Sequence, residues 1–205
     1  MKYSNSQEKF WAEEYSNKYI KKNSKFNNQL GLEAWNKMLK NTRTIKSILE
    51  CGCNIGRNIK FLNNIFLNVD ISVIEISKRA LEIAKRNNKI DQCFNGPIIK
   101  AKFSKKFDLV FTMGVLIHIH PKDLIKNMNK IYEFSNKYIL IGEYFNRTPV
   151  SIKYQGKNER LFKNDFGKIF QLNFDLQLID YGFLWGHIYD TAGFDDLTWW
   201  LFKKN

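Results

Sequence analysis

Hydrophobic positions along the chain alternate between two periods. In the first forty residues Phe10, Trp11, Tyr15 and Tyr19 fall at helical spacing and predict an amphipathic opening helix. From Ser47 onward short apolar runs rich in β-formers alternate with helical patterns. Strands are predicted at Ser47–Glu50, Val69–Ile76, Cys93–Phe94, Phe107–Thr112, Tyr138–Tyr144, Leu176–Tyr181 and Leu197–Phe202. Helices follow through Asn58–Leu62, after the cap residue Ser77, and from Pro121, since proline suits a first helical position. Such alternation implies an α/β fold: a seven-stranded, mostly parallel sheet with helices on both faces. The last two strands have little helix between them, so the last is expected to be antiparallel. Right-handed crossovers bring the loops after the parallel strands to one edge, where ligands bind in open sheets. Glu50–Gly56, Glu75, Asn95–Pro97, Thr112–His118 and Glu143–Arg147 would share that crevice.

At 205 residues the chain suits one domain, 1–205, with residues 1–40 as a helical cap and 145–166 as an insertion on the ligand edge. The polar opening, Met1 to Trp11, lacks the apolar core of a signal peptide, and no apolar run is long enough to cross a bilayer. No membrane partner is expected. Three cysteines (Cys51, Cys53 and Cys93) cannot all pair, which points to a reducing, cytoplasmic setting. The formal charge of +13 raises the question of nucleic acid. The cations are dispersed, as in Lys21-Lys22, Lys85-Arg86, Lys105-Lys106 and Lys203-Lys204, and no dense basic block appears. No specific nucleic-acid partner is therefore expected, and a small anionic acceptor would use the same field. The pattern sets no oligomeric state.

Candidate chemistry begins at Ile48-Leu49-Glu50-Cys51-Gly52-Cys53-Asn54-Ile55-Gly56, an acid-x-Gly-x-x-x-Gly turn between a strand and a helix. Glycines allow the backbone to turn tightly and approach a ligand. A dinucleotide fingerprint would place glycines at 54 and 57, where Asn54 and Arg57 stand, and the Gly-Lys-Ser/Thr ending of a phosphate loop is missing. Glu75 ends the next strand about 20 residues past the turn, the separation at which an acid holds a ribose diol.

At these residues the chain resembles the class I S-adenosylmethionine (AdoMet)-dependent methyltransferases, which have a Rossmann-like sheet. The resemblance implies AdoMet as cofactor and S-adenosylhomocysteine as product. It also implies that Glu50, Gly52, Asn54, Gly56 and Asn58 surround the methionine part, with Glu75 and Ile76 at the ribose. Asn95, Gly96 and Pro97 would flank the adenine, and Thr112, Met113 and Gly114 would line the cofactor. Trp11, Tyr15 and Tyr19 of the opening helix are expected to cover it. Phe10-Trp11-Ala12, Ile48–Asn58, Phe107–Ile119, Lys137–Asn146, Arg160–Phe166 and Asp195–Trp199 look like the methylases associated with pseudaminic acid biosynthesis. The chain departs from them at Lys157-Asn158-Glu159 and in Trp185–Phe194. This narrower resemblance implies an anionic sugar or sugar-like acceptor. An amino acid or other small metabolite, an RNA, or a non-catalytic AdoMet-binding role are the alternatives.

Methyl transfer from a sulfonium needs an aligned nucleophile and sometimes a base. His118, Glu143 and Tyr144 are the catalytic candidates, and Arg147, Tyr154, Arg160 and Lys163 the acceptor-binding ones. Arg160 would either grip an anion through two parallel bonds or pair internally with Glu143, Glu159 or Asp165. His118-Ile119-His120 with Asp123 has the look of a metal site but no fourth ligand, so no metal is expected and His120 is read as structural.

Overall fold

The computed structural model describes Tyr3 and residues 5–205. Met1, Lys2 and Ser4, the start of the expected cap, lie outside the described residues. The opening aromatics do not sit on one helix. Helix α1 (Ser6–Lys9) runs into a π-helical turn (Phe10–Glu14) and then α2 (Ser16–Lys22). Asn5 caps α1 through its side-chain oxygen, which accepts from the Gln7 and Glu8 amides. Helix α3 (Asn28–Leu39), capped by Asn27, buries Ala34, Trp35, Met38 and Leu39.

Strand β1 (Ser47–Cys51) leads to α4 (Arg57–Ile65), β2 (Asp70–Glu75) to α5 (Lys78–Asn87), and β3 (Gln92–Asn95) to a 3-10 turn at Ile98–Lys100. Then come β4 (Phe107–Met113), a 3-10 turn at Leu116–His118, α6 (Pro121–Phe134) and β5 (Ser135–Glu143). The ligand-edge insertion holds a hairpin, β6 (Val150–Tyr154) and β7 (Lys157–Lys163), closed by Gln155 and Gly156 at φ 51° and 77°. Two residues at positive φ make the tight turn that matches strand twist. Helix α7 (Phe166–Asn173), β8 (Leu176–Leu184), α8 (Gly186–Tyr189) and β9 (Leu197–Lys204) complete the chain.

The sheet order is β3-β2-β1-β4-β5-β9-β8. The first five strands are parallel, and β9 runs antiparallel to both β5 and β8, as expected of the last strand. Two cores cover its faces. One packs α3, α4 and α5 through Trp35, Phe61 and Leu81; the other packs α6 and α7 through Met128 and Phe170. Strand β1 feeds both faces, with Ile48 in the first core and Leu49 in the second, so both residue parities are apolar, as in a covered parallel sheet. Among the described residues no helix is long and apolar enough to cross a membrane.

Candidate active site

The loops after β1, β2, β3 and β4 open into a cavity of about 230 Å³ roofed by the N-terminal segment. Gly52, Asn54, Asn58, Glu75, Ile76, Gly96, Pro97, Met113, Gly114, His118, Trp11 and Tyr19 all line it. At Gly52 (φ 87°) the chain turns where L side chains rarely go, and a Cβ there would meet Val115 Cγ2 at 2.5 Å. Asn54 (φ 48°) and Gly56 (φ 82°) supply two further left-handed steps, after which α4 begins.

Glu75 is buried at the end of β2. Its Oε2 accepts from the Asn54 amide at 2.7 Å and its Oε1 from the Ser77 amide at 2.8 Å. Burial raises its pKa despite these bonds. The carboxylate thus locks the glycine turn to the strand beside it. Glu50 does not reach the cavity surface. It is buried behind the turn, where Oε1 accepts from Asn58 Nδ2 at 2.7 Å, and Asn58 is the side chain that lines the wall. Glu50 Oε2 and Asn58 Oδ1 are buried without partners, and burial pushes the Glu50 carboxyl up to about 8. Two unsatisfied acceptors behind a glycine turn suit the ammonium end of an amino acid, directly or through water.

Arg57, which the sequence reading did not assign, lines the same end. Its Nη1 donates to Asn23 Oδ1 at 2.7 Å and its Nη2 to the Gly193 carbonyl at 3.0 Å, leaving Nε buried without a partner. The sequence carried a signal: a cation in the first turn of a helix opposes the helix dipole and needs another reason to be there.

Three expected cavity residues serve the frame instead. Asn95 Nδ2 donates to the Glu75 and Ile76 carbonyls at 2.9 and 3.2 Å, tying β3 to β2. Thr112 donates to Glu143 Oε1 at 2.9 Å. Glu143 was expected as a catalytic group, but it is fully buried and engaged. It accepts from the amides of Val115 and Leu116 at 3.1 and 3.0 Å (Oε1) and of Ile117 at 3.2 Å (Oε2). Burial still pushes its carboxyl up to about 7. A carboxylate spending its lone pairs on three loop amides shapes the 115–118 turn and has no free face for an acceptor.

That turn carries His118. Its Nδ1 lies 2.8 Å from the Arg160 carbonyl, and its ring is 4.1 Å from Trp11. Burial lowers its pKa to about 4. His120 caps α6, its Nδ1 accepting from the Lys122 amide at 3.2 Å, which is the structural role read for it. Asp123 accepts from Asn5 Nδ2 at 3.2 Å. Among the described residues no group of three or more His, Cys, Asp or Glu side chains is arranged to hold a metal.

The cap is held at several points. Ser16 Oγ and Ser77 Oγ lie 2.5 Å apart and buried, Gln7 Nε2 donates to the Glu159 carbonyl at 3.0 Å, and Lys157 pairs with Glu14 at 2.5 Å. Tyr15 is buried between Phe10, Trp11, Tyr19 and Tyr154 and does not itself line the cavity. Tyr154 packs on Trp11 and His118 as part of the roof. Arg160 does not present an anion fork to the cavity. Its guanidinium lies 5.5 Å over the Phe10 ring, with Nη2 donating to Ser6 Oγ at 3.2 Å, because an aromatic face at the roof attracts a nearby cation. Arg147 is exposed. Lys163 lies 5.4 Å over the Tyr144 ring, and Tyr144 Oη donates to Asp195 Oδ2 at 3.4 Å, at the end of β5 outside the cavity lining.

Residues 48–137 match a family model described as a methyltransferase domain. No curated protein matches the chain. Among solved structures, magnesium protoporphyrin IX methyltransferase from Synechocystis PCC 6803, with bound SAM, superposes with a TM-score of 0.71 at 11% identity over 100% of both chains. An S-adenosylmethionine-dependent methyltransferase from Clostridium acetobutylicum ATCC 824 gives 0.65 at 14% identity, over 98% of this chain and 100% of that one. The 1,6-didemethyltoxoflavin-N1-methyltransferase of Burkholderia thailandensis gives 0.66 at 11%, over 100% and 93%. The glycine turn, the buried unsatisfied acceptors behind it and the Glu75 carboxylate fit AdoMet. Residues 48–137 thus carry a methyltransferase domain, and the fold is that of the AdoMet-dependent methyltransferases.

Proposed function

We propose that the chain transfers the methyl group of AdoMet to a hydroxyl or amine of a small, anionic, sugar-like acceptor, the chemistry implied by the resemblance to the pseudaminic acid methylases. The observation that carries a small acceptor is the roof. Residues 5–23 lie over the crevice and contribute Trp11 and Tyr19 to its lining, which favours a small acceptor over a polymer. In this reading Glu75 holds the ribose hydroxyls, Gly52–Gly56 makes room for the methionine part, and Arg57 faces its carboxylate. AdoMet brings the electrophilic methyl; the chain aligns the acceptor and keeps water out. His118, neutral and under the roof, stands ready to take the acceptor's proton. Lys163 beside Tyr144 supports an anionic acceptor entering at the end of β5. The neighbours named for a porphyrin and a toxoflavin precursor support small-molecule methylation in this fold.

The test is conversion of AdoMet to S-adenosylhomocysteine with a panel of acidic sugars, neutral sugars, amino acids and RNA. Turnover confined to acidic sugars is expected. Turnover with RNA or with amino acids alone would overturn the acceptor class.

A further inference from the structure

The cavity has two ends on opposite faces of the sheet, and they differ in charge. Arg57 begins α4, which packs in the first core, while Asp123 lies in the first turn of α6, which packs in the second beside Ile98. Glu75 stands between them at the tip of β2. A nucleoside with its ribose on Glu75 and its amino-acid carboxylate toward Arg57 sends its base toward the other face. There the wall is apolar, with Pro97, Ile98, Ile99, Val115 and Ile119. No lysine or arginine is found among the described residues lining that end. Its polar groups include Asp123, Asn127 and, from the roof, Gln7. Gln7 is only 4% exposed, and its Oε1 has no partner. The bond from Nε2 to the Glu159 carbonyl fixes which way that amide faces. Asn5, two residues earlier, holds Asp123 Oδ2 and brings the roof down onto α6. Asn95, which the resemblance placed beside the base, spends its amide on the carbonyls of Glu75 and Ile76.

We propose that Asp123 and Gln7 form the subsite for the exocyclic amino group of the cofactor's purine, so that the roof and α6 identify the base. An apolar slot ending in two hydrogen-bond acceptors fits a flat base bearing an NH₂ and disfavours one bearing a carbonyl at that position. This rests on the AdoMet reading above.

Calorimetric titration with S-adenosylhomocysteine and with S-inosylhomocysteine, in which the amino group is replaced by an oxo group, tests it without turnover. The full-length chain is expected to favour the adenine ligand at least tenfold. Asp123→Ala should cut that preference to below threefold, mainly by weakening the adenine ligand. Asp123→Asn, nearly isosteric, should shift the preference toward the inosine ligand, because an amide can donate to the oxo oxygen. Gln7→Leu should reduce the preference without changing the melting temperature by more than a few degrees. A preference unchanged in folded Asp123→Asn and Gln7→Leu proteins would overturn the subsite. Failure of the unaltered chain to bind either ligand would overturn the cofactor reading itself.

Discussion

His118 Nδ1 lies 2.8 Å from the Arg160 carbonyl oxygen. A carbonyl only accepts, so the proton is on Nδ1 and Nε2 carries the lone pair. The tie joins the turn after β4 to strand β7, so the hairpin sets the tautomer of the candidate base. His118→Asn keeps an amide donor near that carbonyl and removes the base. The expected outcome is a fall in kcat of about 100-fold or more, with calorimetric AdoMet affinity within a few-fold of the parent. An acceptor methylated at unchanged rate would remove His118 from proton transfer.

The same histidine predicts a pH effect on stability. Its folded pKa is lowered to about 4 from the ordinary 6.5 by burial. Between those values the unfolded chain binds the proton and the folded one does not, so stability rises with pH across that window. Glu143 acts in the opposite sense: its folded value, about 7, lies above the ordinary 4.5, so its contribution falls as pH rises between them. Melting curves of His118→Asn and Glu143→Gln from pH 4 to 8 should each lose one of these slopes. Glu143→Ala should cost more than Glu143→Gln, because it leaves three loop amides without their acceptor, at about 1–3 kcal/mol for each group left unsatisfied.

Glu75→Ala should weaken AdoMet by about 1.5–3 kcal/mol, the size of a charge-assisted hydrogen bond to a diol. Since Glu75 also holds the Asn54 and Ser77 amides, Glu75→Gln is the informative companion. Titration calorimetry reads both, and full affinity in the alanine variant would dismiss the ribose role.

Cofactor binding should release protons near neutral pH. An ammonium brought behind the glycine turn favours ionised Glu50, whose carboxyl burial holds at about 8. Titrations in buffers of differing ionisation heat should show release at pH 7 that vanishes in Glu50→Gln. Release persisting in that variant would assign the proton elsewhere.

Deleting residues 1–22 should leave a folded core and sharply reduce AdoMet affinity. Because Trp11 and Tyr19 lie over the cavity, the roof is also expected to slow ligand entry and exit. Measured association should therefore quicken in the truncated chain while dissociation quickens more. Normal affinity after truncation would make the roof purely structural.

Much of this was legible from local pattern. The apolar runs at Ile48, Phe107 and Ile139 located the parallel strands, and the glycine spacing with Glu75 located the crevice. What escaped is of another kind. The hairpin over Val150–Lys163 is mostly exposed and reads as polar chain, its turn betrayed only by Gln155-Gly156. Glu143 looked catalytic because a carboxylate ended an apolar strand; its partners are amides 26 to 28 residues away, which no side-chain pattern records. Arg160 suggested an anion grip from its chemistry, but its place over Phe10 depends on a contact 150 residues distant. Such pairings are set by tertiary packing.

The π-helical turn at Phe10–Glu14, closed by the Tyr15 amide on the Phe10 carbonyl at 2.9 Å, holds one residue more than an α-helical turn would. One residue is about 100° of helix rotation. The segment before it keys to α6 and β7 through Asn5 and Gln7, and the segment after it keys to α5 and α4 through Ser16 and Asn23. The extra residue sets the angular offset between two sets of teeth. A single deletion within Phe10–Glu14 would leave every side chain outside that turn in place in the sequence, yet allow only one set to engage at a time.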